Sequence, residues 1–481
     1  MQALYIVIPV VGIFMIAYRY YSAFIAAKVM SLDDARVTPA HSKYDGANFH
    51  PMSRWVLFGH HFAAIAGAGP LVGPVLAAQF GFAPGLLWLV AGCTLCGAVH
   101  DSMCLWMSTR RGGKSLANIA RAEIGPVAGT VGALSILFLI LGVMIINPKL
   151  QAPAFSTYID GGGPIIPGPL FPFVFITIAC GAISGFHALV STGTTSKMIN
   201  KEMDIRPIGY GAMLMEGLVG VVAIITAAAL NPNDYYAINT SEATFRTLGL
   251  STVNLPDLQS QVGEVVAARP GGAVSLAVGM AQIFSGLPGM RGLMAYWYHF
   301  AIMFEAVFIL TTIDSGTRIG RFLLQEFGGR LWKPFGRTQW LPSSLISTAF
   351  IVMAWAYFIW TGNISTIWPM FGVANQLLAA VALAVGTAII LNIGRARYAW
   401  VTFVPLCFVA TTTITAGYMS VRDNFWPMAV GDDPALQVQG YVNTICIVVM
   451  MVCVIIILTA SARRWLMVLT GRVPTLELAE A

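Results

Sequence analysis

About eleven stretches of roughly 20 mostly apolar residues, separated by short polar connections, dominate this sequence. That length is what an α-helix needs to cross the hydrocarbon core of a membrane. The predicted spans, in chain order, are Leu4–Val29, Arg54–Phe80, Gly85–Met107, Val127–Ile146, Phe171–Thr192, Ile208–Leu230, Leu293–Ile313, Ser343–Trp360, Ile367–Leu391, Trp400–Tyr418 and Tyr441–Thr459. Only 10% of the residues are charged, against about 25% in a soluble domain. The sequence therefore predicts an all-α, polytopic membrane protein with lipid as its main solvent.

Basic residues indicate the orientation of these spans. They cluster in the connections after spans one, three and five, at Lys28, Arg36, Lys43, Arg54, Arg110, Arg111, Lys114, Arg121, Lys197, Lys201 and Arg206. All three connections fall on one side of the membrane, which the positive-inside rule makes cytoplasmic. We therefore predict a multi-pass protein of the inner (cytoplasmic) membrane, with the N-terminus outside and the C-terminus in the cytoplasm. The net charge of +6 then belongs to cytoplasmic loops and does not indicate a nucleic-acid partner.

Two further segments decide how the chain is divided. Gly272–Pro288 is apolar enough to be a twelfth span, but a crossing there would move the basic residues that follow span seven to the outside. We therefore expect this segment to be re-entrant or to lie on the membrane surface. The longest connection, 231–271, is expected outside, either as a cap or gate or as a plain link. The predicted organisation is an N-terminal core of six spans, 1–292, and a five-span C-terminal region, 293–481.

Glycine and proline are concentrated inside two of the spans, where a plain helix would avoid them. Span two contains Gly67, Gly69 and Pro70 within the run Gly59–Pro74, and span five ends in the run Ser184–Ser196. Proline removes a helix hydrogen bond and glycine eases unwinding, so both spans are predicted to be broken helices. Because the two spans run in opposite directions, they fit an inverted-repeat transporter. The alternative is close helix packing, for which small residues are also used in membranes.

Ionisable residues inside the spans are a second functional signal, because a charge at the bilayer centre costs about 2.5–3.5 kcal/mol or more. These residues are His60, His61, His100, Asp101, His187, Glu216, Glu305 and Asp314. We expect them to line the interior and to titrate, pair or bind ions. Glu305 and Asp314 lie about 13.5 Å apart along a helix and on opposite faces, so they do not form one carboxylate pair. A salt bridge or helix-end contact is the alternative for Asp314, and a solvated or capping role is the alternative for His100 and Asp101.

The histidines point to protons as the coupling ion. Imidazole titrates near neutral pH, so His60, His61 or His187 could take up and release protons during a transport cycle. At about 150 mV, one inward proton supplies roughly 3.5 kcal/mol, enough for a solute gradient of several hundredfold. Hydrogen bonding between helices is the alternative for each histidine.

Uncharged polar residues complete the predicted substrate and proton pathway. Ser184, Ser191 and Thr194 belong to the interrupted end of span five, and Asn375 and Gln376 lie in span nine. The two amides offer neutral donors and acceptors suited to carboxylate or amide groups of a substrate. Hydrogen bonding from helix to helix is again the alternative.

Enzyme and cofactor signatures are weak or absent in the sequence. There is no P-loop, HExxH or GxSxG motif, which argues against ATP hydrolysis, an intramembrane protease and an esterase. Cys93, Cys96 and His100 have a spacing that could place them on one helical face for a soft metal, but one helix supplies only three ligands. We therefore expect no catalytic residue, no cofactor and no metal. An intramembrane enzyme and a membrane nutrient sensor remain as alternatives to a transporter.

Several of these motifs resemble the carbon starvation protein A family. The segments that carry the resemblance are Gly59–Pro74, Val99–Met103, Ile146–Lys149, Ser184–Lys197, Thr311–Phe322 and Trp368–Gln376. The resemblance implies a bacterial or archaeal transporter that takes up peptides during carbon limitation or, in related members, pyruvate driven by protons. It also implies kinship with the amino acid, polyamine and organocation superfamily, whose fold uses inverted repeats. The implied partners are a small-molecule substrate, protons and the lipid bilayer, and the chain is shorter than the longest family members.

Overall fold

The computed structural model describes residues 1–46, 49–110, 146–290, 292–337, 340–361 and 364–472. Within these ranges, six helices are long and apolar enough to cross a membrane, or seven if one bent pair is a single span. This confirms the predicted all-α, polytopic class. The count of eleven spans stays a prediction, and the predicted span Val127–Ile146 lies outside the described residues except for Ile146.

The first half of the chain supplies the helices that surround the candidate site. In chain order they are α1 (Leu4–Met30), α2 (Arg54–Ile65), α3 (Ala68–Phe80), α4 (Phe82–Arg110), α5 (Leu170–Thr177), α6 (Ala179–Ala182), α7 (Gly185–Gly193) and α8 (Glu202–Ala229). Three of these, α5, α6 and α7, occupy the place of the single predicted span Phe171–Thr192.

The connection 231–271 folds into three short helices, α9 (Pro232–Asn239), α10 (Glu242–Thr247) and α11 (Leu255–Val262). The Tyr235 hydroxyl donates to the Val75 carbonyl of α3 at 2.8 Å. The Asp234 carboxylate accepts from the backbone N–H groups of Val253 and Asn254, which closes the connection on itself. These contacts favour a cap seated on the end of α3 over a plain link.

Within the described residues, the second half of the chain contains six α-helical elements that pack on this core. They are α12 (Ala273–Ser285), α13 (Met294–Leu331), α14 (Leu341–Thr361), α15 (Ile364–Asn392), α16 (Trp400–Val430) and α17 (Pro434–Leu469). The 13 residues of α12 rise only about 20 Å, less than the roughly 30 Å of a hydrocarbon core. The re-entrant reading of this segment is consistent with that length and stays a prediction.

The second predicted span is broken, as its glycines and prolines indicated. The axes of α2 and α3 differ by 47°, and the break falls at Ala66 and Gly67. A Cβ atom on Gly67 would crowd the side chain of Thr312, so α13 approaches the break closely. Pro70 lies in the first turn of α3, where the missing N–H has no helical partner in any case.

The fifth predicted span is interrupted twice. Ile178 leaves helical geometry between α5 and α6, and Ile183 and Ser184 are extended between α6 and α7. The second interruption directly precedes Gly185, within the run predicted to be broken. Gly185 packs against the backbone of α15, where an added Cβ would lie 2.5 Å from the Ala379 nitrogen.

The predicted basic clusters come together at one end of the helices. The Glu202 carboxylate, buried at the start of α8, is contacted by Arg36 and Arg110, with Arg36 Nη1 at 3.1 Å. Arg54 pairs with Asp204 at 2.5 Å. We call these five residues the arginine cluster. It joins the connections after spans one, three and five, as expected for loops that share one side of the membrane.

Candidate functional site

His187 occupies the centre of a fully buried group of polar side chains. Its Nδ1 lies 2.9 Å from an Asp101 carboxylate oxygen, and its Nε2 lies 3.2 Å from a Glu216 carboxylate oxygen. All three side chains are 0% exposed. One imidazole therefore bridges two carboxylates that α4 and α8 bring from opposite sides.

Local geometry explains why these residues meet. A π-helical turn at Cys93–Gly97 precedes His100 and Asp101 in α4, and such turns shift the faces of the residues that follow. Gly97 lets α4 approach the Ala182 carbonyl, because a Cβ there would collide with it. Helix α7 begins immediately after the extended Ser184, and His187 is its third residue. The break in span five thus sets both the position and the direction of His187.

Asp101 serves two histidines at once. Its second carboxylate oxygen lies 2.8 Å from Nδ1 of His100, whose Nε2 faces the Cys104 thiol at 3.8 Å. Both imidazoles can therefore donate to the same carboxylate, which supplies the partners that a buried charge requires. The solvated alternative for His100 and Asp101 does not hold, since both are completely enclosed.

Glu216 is the member of this group whose carboxylate lacks hydrogen-bond partners among the described residues. Neither of its oxygens makes a hydrogen bond of good geometry within the described residues, although His187 Nε2 is 3.2 Å away. The Cys180 thiol lies 3.6 Å from the same His187 nitrogen. Two ionised carboxylates beside one imidazole in a dry site would be costly, so this arrangement favours the binding of a proton. We call Cys180, His187, Glu216, Asp101 and His100 the histidine–carboxylate cluster.

Two further predicted residues adjoin this cluster: Ser184 at the break in span five, whose Oγ lies 3.6 Å from the Cys180 thiol, and Asn375 in α15. Ser184 Oγ donates to Asn375 Oδ1 at 3.0 Å, and the Phe186 backbone N–H donates to the same oxygen at 2.9 Å. Asn375 thus caps the first turn of α7 from α15. Its Nδ2 has no hydrogen-bond partner among the described residues. A free amide donor beside an unwound backbone is available to a polar ligand.

Span two contributes its break and one histidine. Gly69 lies against Cys180, since a Cβ on that glycine would collide with the cysteine side chain, and Pro70 lies beside Gly181. His61 is buried and its Nδ1 lies 2.8 Å from Thr195 Oγ1, while its Nε2 has no partner in the described part of the chain. It is within electrostatic range of Asp101 and His187.

The other predicted pathway residues are not brought into the cluster. Both polar atoms of the Gln376 side chain form hydrogen bonds to other helices, since the amide donates to the Phe175 carbonyl and accepts from Thr413. This matches the alternative of helix-to-helix hydrogen bonding. Thr194 donates to the Val190 carbonyl of its own helix. Of the remaining four, His60 is within electrostatic range of Arg318. Ser191 and Glu305 are buried, and each has an oxygen that lacks a hydrogen-bond partner in the described ranges. Asp314 lies in α13, but its side chain is outside the described part.

Sequence reasoning missed two members of the cluster. Cys180 drew no attention, although it precedes His187 by seven residues across a helix break. Glu216 was recognised as an ionisable residue inside a span but was not assigned to the pathway. The signal that could have found it is its isolation, since it is the one acid between Ala212 and Ala229.

Cys180, His187 and Glu216 are also the described residues that could hold a metal ion. Their ligand atoms lie within 4.8 Å of one another, and sulfur, imidazole and carboxylate ligands together suit a divalent transition ion. The pattern of Cys93, Cys96 and His100 is not assembled, because the Cys93 thiol faces the Met213 carbonyl and His100 pairs with Asp101.

Comparison with known proteins places this arrangement in a family. The model of the family described as "Carbon starvation protein CstA" matches residues 2–141 and 133–416. The chain belongs to this family. The resemblance predicted from the motifs is thereby confirmed.

Curated relatives cover most of the chain. The "Peptide transporter CstA" of Bacillus subtilis is 39% identical and covers 97% of this chain and 97% of its own length. The protein of the same name in Escherichia coli is 37% identical, over 87% of this chain and 81% of its own. The "Pyruvate/proton symporter BtsT" of Escherichia coli is 36% identical, over 86% and 81%. These relatives confirm the predicted class, a membrane transporter, and the last two show that some members are longer.

Solved structures offer only distant similarity. A manganese transporter of Eremococcus coleocola covers 94% of this chain and 95% of its own at a TM-score of 0.34 and 12% identity. Similarity at this level carries no argument about fold or transported solute.

Proposed function

We propose that this chain is a proton-coupled secondary transporter that takes up peptides, with pyruvate or a similar small monocarboxylate as the alternative substrate. The observation that carries the proposal is His187 held between Asp101 and Glu216 beside two helix breaks. The names of the relatives support both substrates, since they include peptide transporters and a pyruvate/proton symporter.

We infer proton coupling from the chemistry of the cluster. A proton that arrives on the His187–Glu216 pair changes the net charge of a site from which water is excluded. The cost of an uncompensated charge is several kcal/mol, so the change favours a conformation that admits water or a charged substrate. Release of the proton on the other side of the membrane then restores the first conformation. His61, which is within electrostatic range of Asp101 and His187, provides a second site for the proton on the broken span two.

The substrate site is proposed at the junction of Ser184, Asn375 and Gly69. Unwound backbone at Ile183 and Ser184 presents groups that a helix would have used internally, and Asn375 Nδ2 is an available donor. Peptide and carboxylate oxygens are suitable acceptors for that donor. The proposed halves of the chain, 1–292 and 293–481, both contribute, since Asn375 comes from the second half.

We also propose that the protein lies in the inner membrane, with the N-terminus outside and the C-terminus in the cytoplasm. The support for this orientation is the positive-inside rule, together with the arginine cluster at one end of the helices.

Uptake into sealed proteoliposomes tests the function. The full chain is given labelled dialanine or labelled pyruvate, each with and without an inward proton gradient. Accumulation of intact dialanine that requires the gradient supports the proposal, and accumulation of pyruvate alone selects the alternative substrate. Chemical conversion of the solute would instead indicate an enzyme, and binding without accumulation would indicate a sensor.

A variant pair connects the assay to the site. Glu216→Gln removes the titratable oxygen but keeps the shape, so we expect gradient-driven uptake to fall while counterflow of unlabelled for labelled solute persists. Asp257→Asn, an exposed acid in α11, is the matched control. Equal gradient-driven uptake by both variants would contradict proton coupling through Glu216.

A further inference from the structure

A long apolar groove lies on the surface between α1, α4, α5 and α16. Its volume is about 640 Å³, and hydrocarbon side chains provide nearly all of its lining. Tyr21 and Trp400 line one end, and Phe155 and Phe171 line it further along. None of these residues belongs to the histidine–carboxylate cluster, so the groove is separate from the proposed transport site.

The floor of the groove is a group of packed aromatic rings. The rings of Trp88, Phe175 and Phe408 lie 5.0–5.3 Å apart from centre to centre, in tilted and edge-to-face contacts. Such contacts are favourable, so the three rings pack together along the groove. Its rim is open, with Leu87 and Val404 more than half exposed.

An apolar groove on a membrane-spanning surface faces hydrocarbon. Empty space there would forfeit dispersion contacts along its whole lining, and water would leave the apolar rings poorly solvated. An acyl chain that enters such a groove supplies those dispersion contacts along its length. The surroundings therefore supply a suitable occupant in excess.

Basic side chains at the Tyr21–Trp400 end indicate which lipid is preferred. Phe24, next to Tyr21, contacts both Trp400 and Tyr398, with ring centres 6.3 and 5.7 Å apart. The Arg397 guanidinium lies 4.5 Å above the Tyr398 ring, and Lys28 follows Phe24 by one helical turn. Both cationic side chains are exposed, and neither makes an ion pair within the ranges that the structure describes.

Arg395 holds this end together and adds to its positive charge. It donates to the backbone carbonyls of Lys28 and Val29, so the α15–α16 connection is tied to the end of α1. Burial, and then the positive charge of Arg110, lower the pKa of Arg395 from its ordinary value. This end of the groove therefore has cationic groups that an anion would neutralise.

We propose that the groove binds an anionic phospholipid, with an acyl chain along the aromatic floor and the phosphate between Lys28 and Arg397. Tyr21, Tyr398 and Trp400 are of the residue types that favour the boundary between hydrocarbon and head groups, where a phosphate would lie. Basic pockets between membrane helices are known to select anionic head groups by charge. A zwitterionic lipid has the same chains but gains less from the two cations.

Lipid binding to the purified full chain tests the proposal. After delipidation in detergent, native mass spectrometry with phosphatidylglycerol and phosphatidylcholine of identical chains measures affinity, and thermal unfolding measures the stabilisation by each lipid. We expect phosphatidylglycerol to bind more tightly and to raise the unfolding temperature more. Lys28→Gln with Arg397→Gln should weaken phosphatidylglycerol roughly 30-fold and leave phosphatidylcholine unchanged.

Matched variants separate the two parts of the site. Val404→Trp fills the groove and should reduce binding of both lipids; Leu87→Trp serves the same purpose if the first variant does not fold. Arg463→Gln with Arg472→Gln removes two other exposed cations and should leave the lipid preference intact. Unchanged preference in the Lys28 and Arg397 double variant would overturn the proposal. So would a second copy of the chain that covers the groove, detected as a disulfide dimer of Leu87→Cys.

Discussion

Two regions of this molecule pair buried acids with bases, but they use different bases. In the histidine–carboxylate cluster, Asp101 and Glu216 face imidazoles, whose charge can change near neutral pH. In the arginine cluster, Glu202 and Asp204 face guanidinium groups, which stay charged at any physiological pH. The first region can therefore respond to a proton, whereas the second can only hold its connections together or come apart.

The largest expected effect tests the responsive region. His187→Gln leaves Asp101 and Glu216 without their shared base, so we expect gradient-driven uptake to fall about 100-fold or more, since loss of one partner of a buried charge costs several kcal/mol. Initial rates in proteoliposomes measure the loss. His299→Gln alters an exposed histidine and serves as control. If the His187 variant kept half of the wild-type rate, the histidine–carboxylate cluster would not be required for gradient-driven uptake.

The fixed region should respond through stability. Arg110→Met removes the better enclosed of the two cations that contact Glu202, so we expect the protein to lose about 2–4 kcal/mol of unfolding free energy. Unfolding of the detergent-solubilised protein by heat or denaturant measures the change. The loss should be the same at pH 6 and pH 8, because guanidinium does not titrate there. A loss that varied strongly between these values would place a titrating group in the arginine cluster.

Lys197 lies close in sequence both to the residue that contacts His61 and to the arginine cluster, and it sharpens the comparison. Thr195, two residues before it, contacts His61, and Glu202 follows five residues later. Burial lowers the pKa of Lys197 to about 8, while its amine lies 5.5 Å above the Phe49 ring. The unfolded chain, with an ordinary lysine pKa near 10.5, then binds more protons between pH 8 and 10.5, so stability rises with pH in that window.

The size of this effect can be stated. From pH 7.5 to 9.5 we expect a gain of up to about 2 kcal/mol in unfolding free energy from Lys197. Denaturant unfolding at both pH values measures it, and Lys197→Met should remove it. The same gain in that variant would show that another group is responsible.

The smallest expected effect concerns a neutral residue. Asn375→Leu removes the cap from the first turn of α7 and the free amide donor, which together cost about 1–2 kcal/mol and should reduce apparent substrate affinity roughly tenfold. The KM for uptake measures this, and it should shift equally across pH 6–8, because an amide does not titrate. Gln376→Leu is the comparison, since that side chain serves helix packing and should change stability more than KM.

The comparison also explains what the sequence can and cannot predict. Gly67, Gly69 and Pro70 indicate a break because their backbone chemistry is local, and the same holds for Ser184 and Gly185. The meeting of Asp101, His187 and Glu216 depends on how three separate helices pack, which no local pattern encodes. His100 and Asp101 even looked like boundary residues by position, yet the π-helical turn and the approach of α6 bury them completely.

The cap formed by 231–271 has a mechanical consequence. The Tyr235 hydroxyl donates to the Val75 carbonyl, and Gln79 accepts from the backbone N–H groups of Ile165 and Ile166. These hydrogen bonds hold α3, the second helix of the broken span, in place. A rotation at Ala66 and Gly67 would then move the first helix of the span, α2. That segment holds Arg54 against Asp204 and His61 against Thr195, so one rotation of α2 would break the Arg54–Asp204 ion pair and move His61 away from Thr195 at the same time.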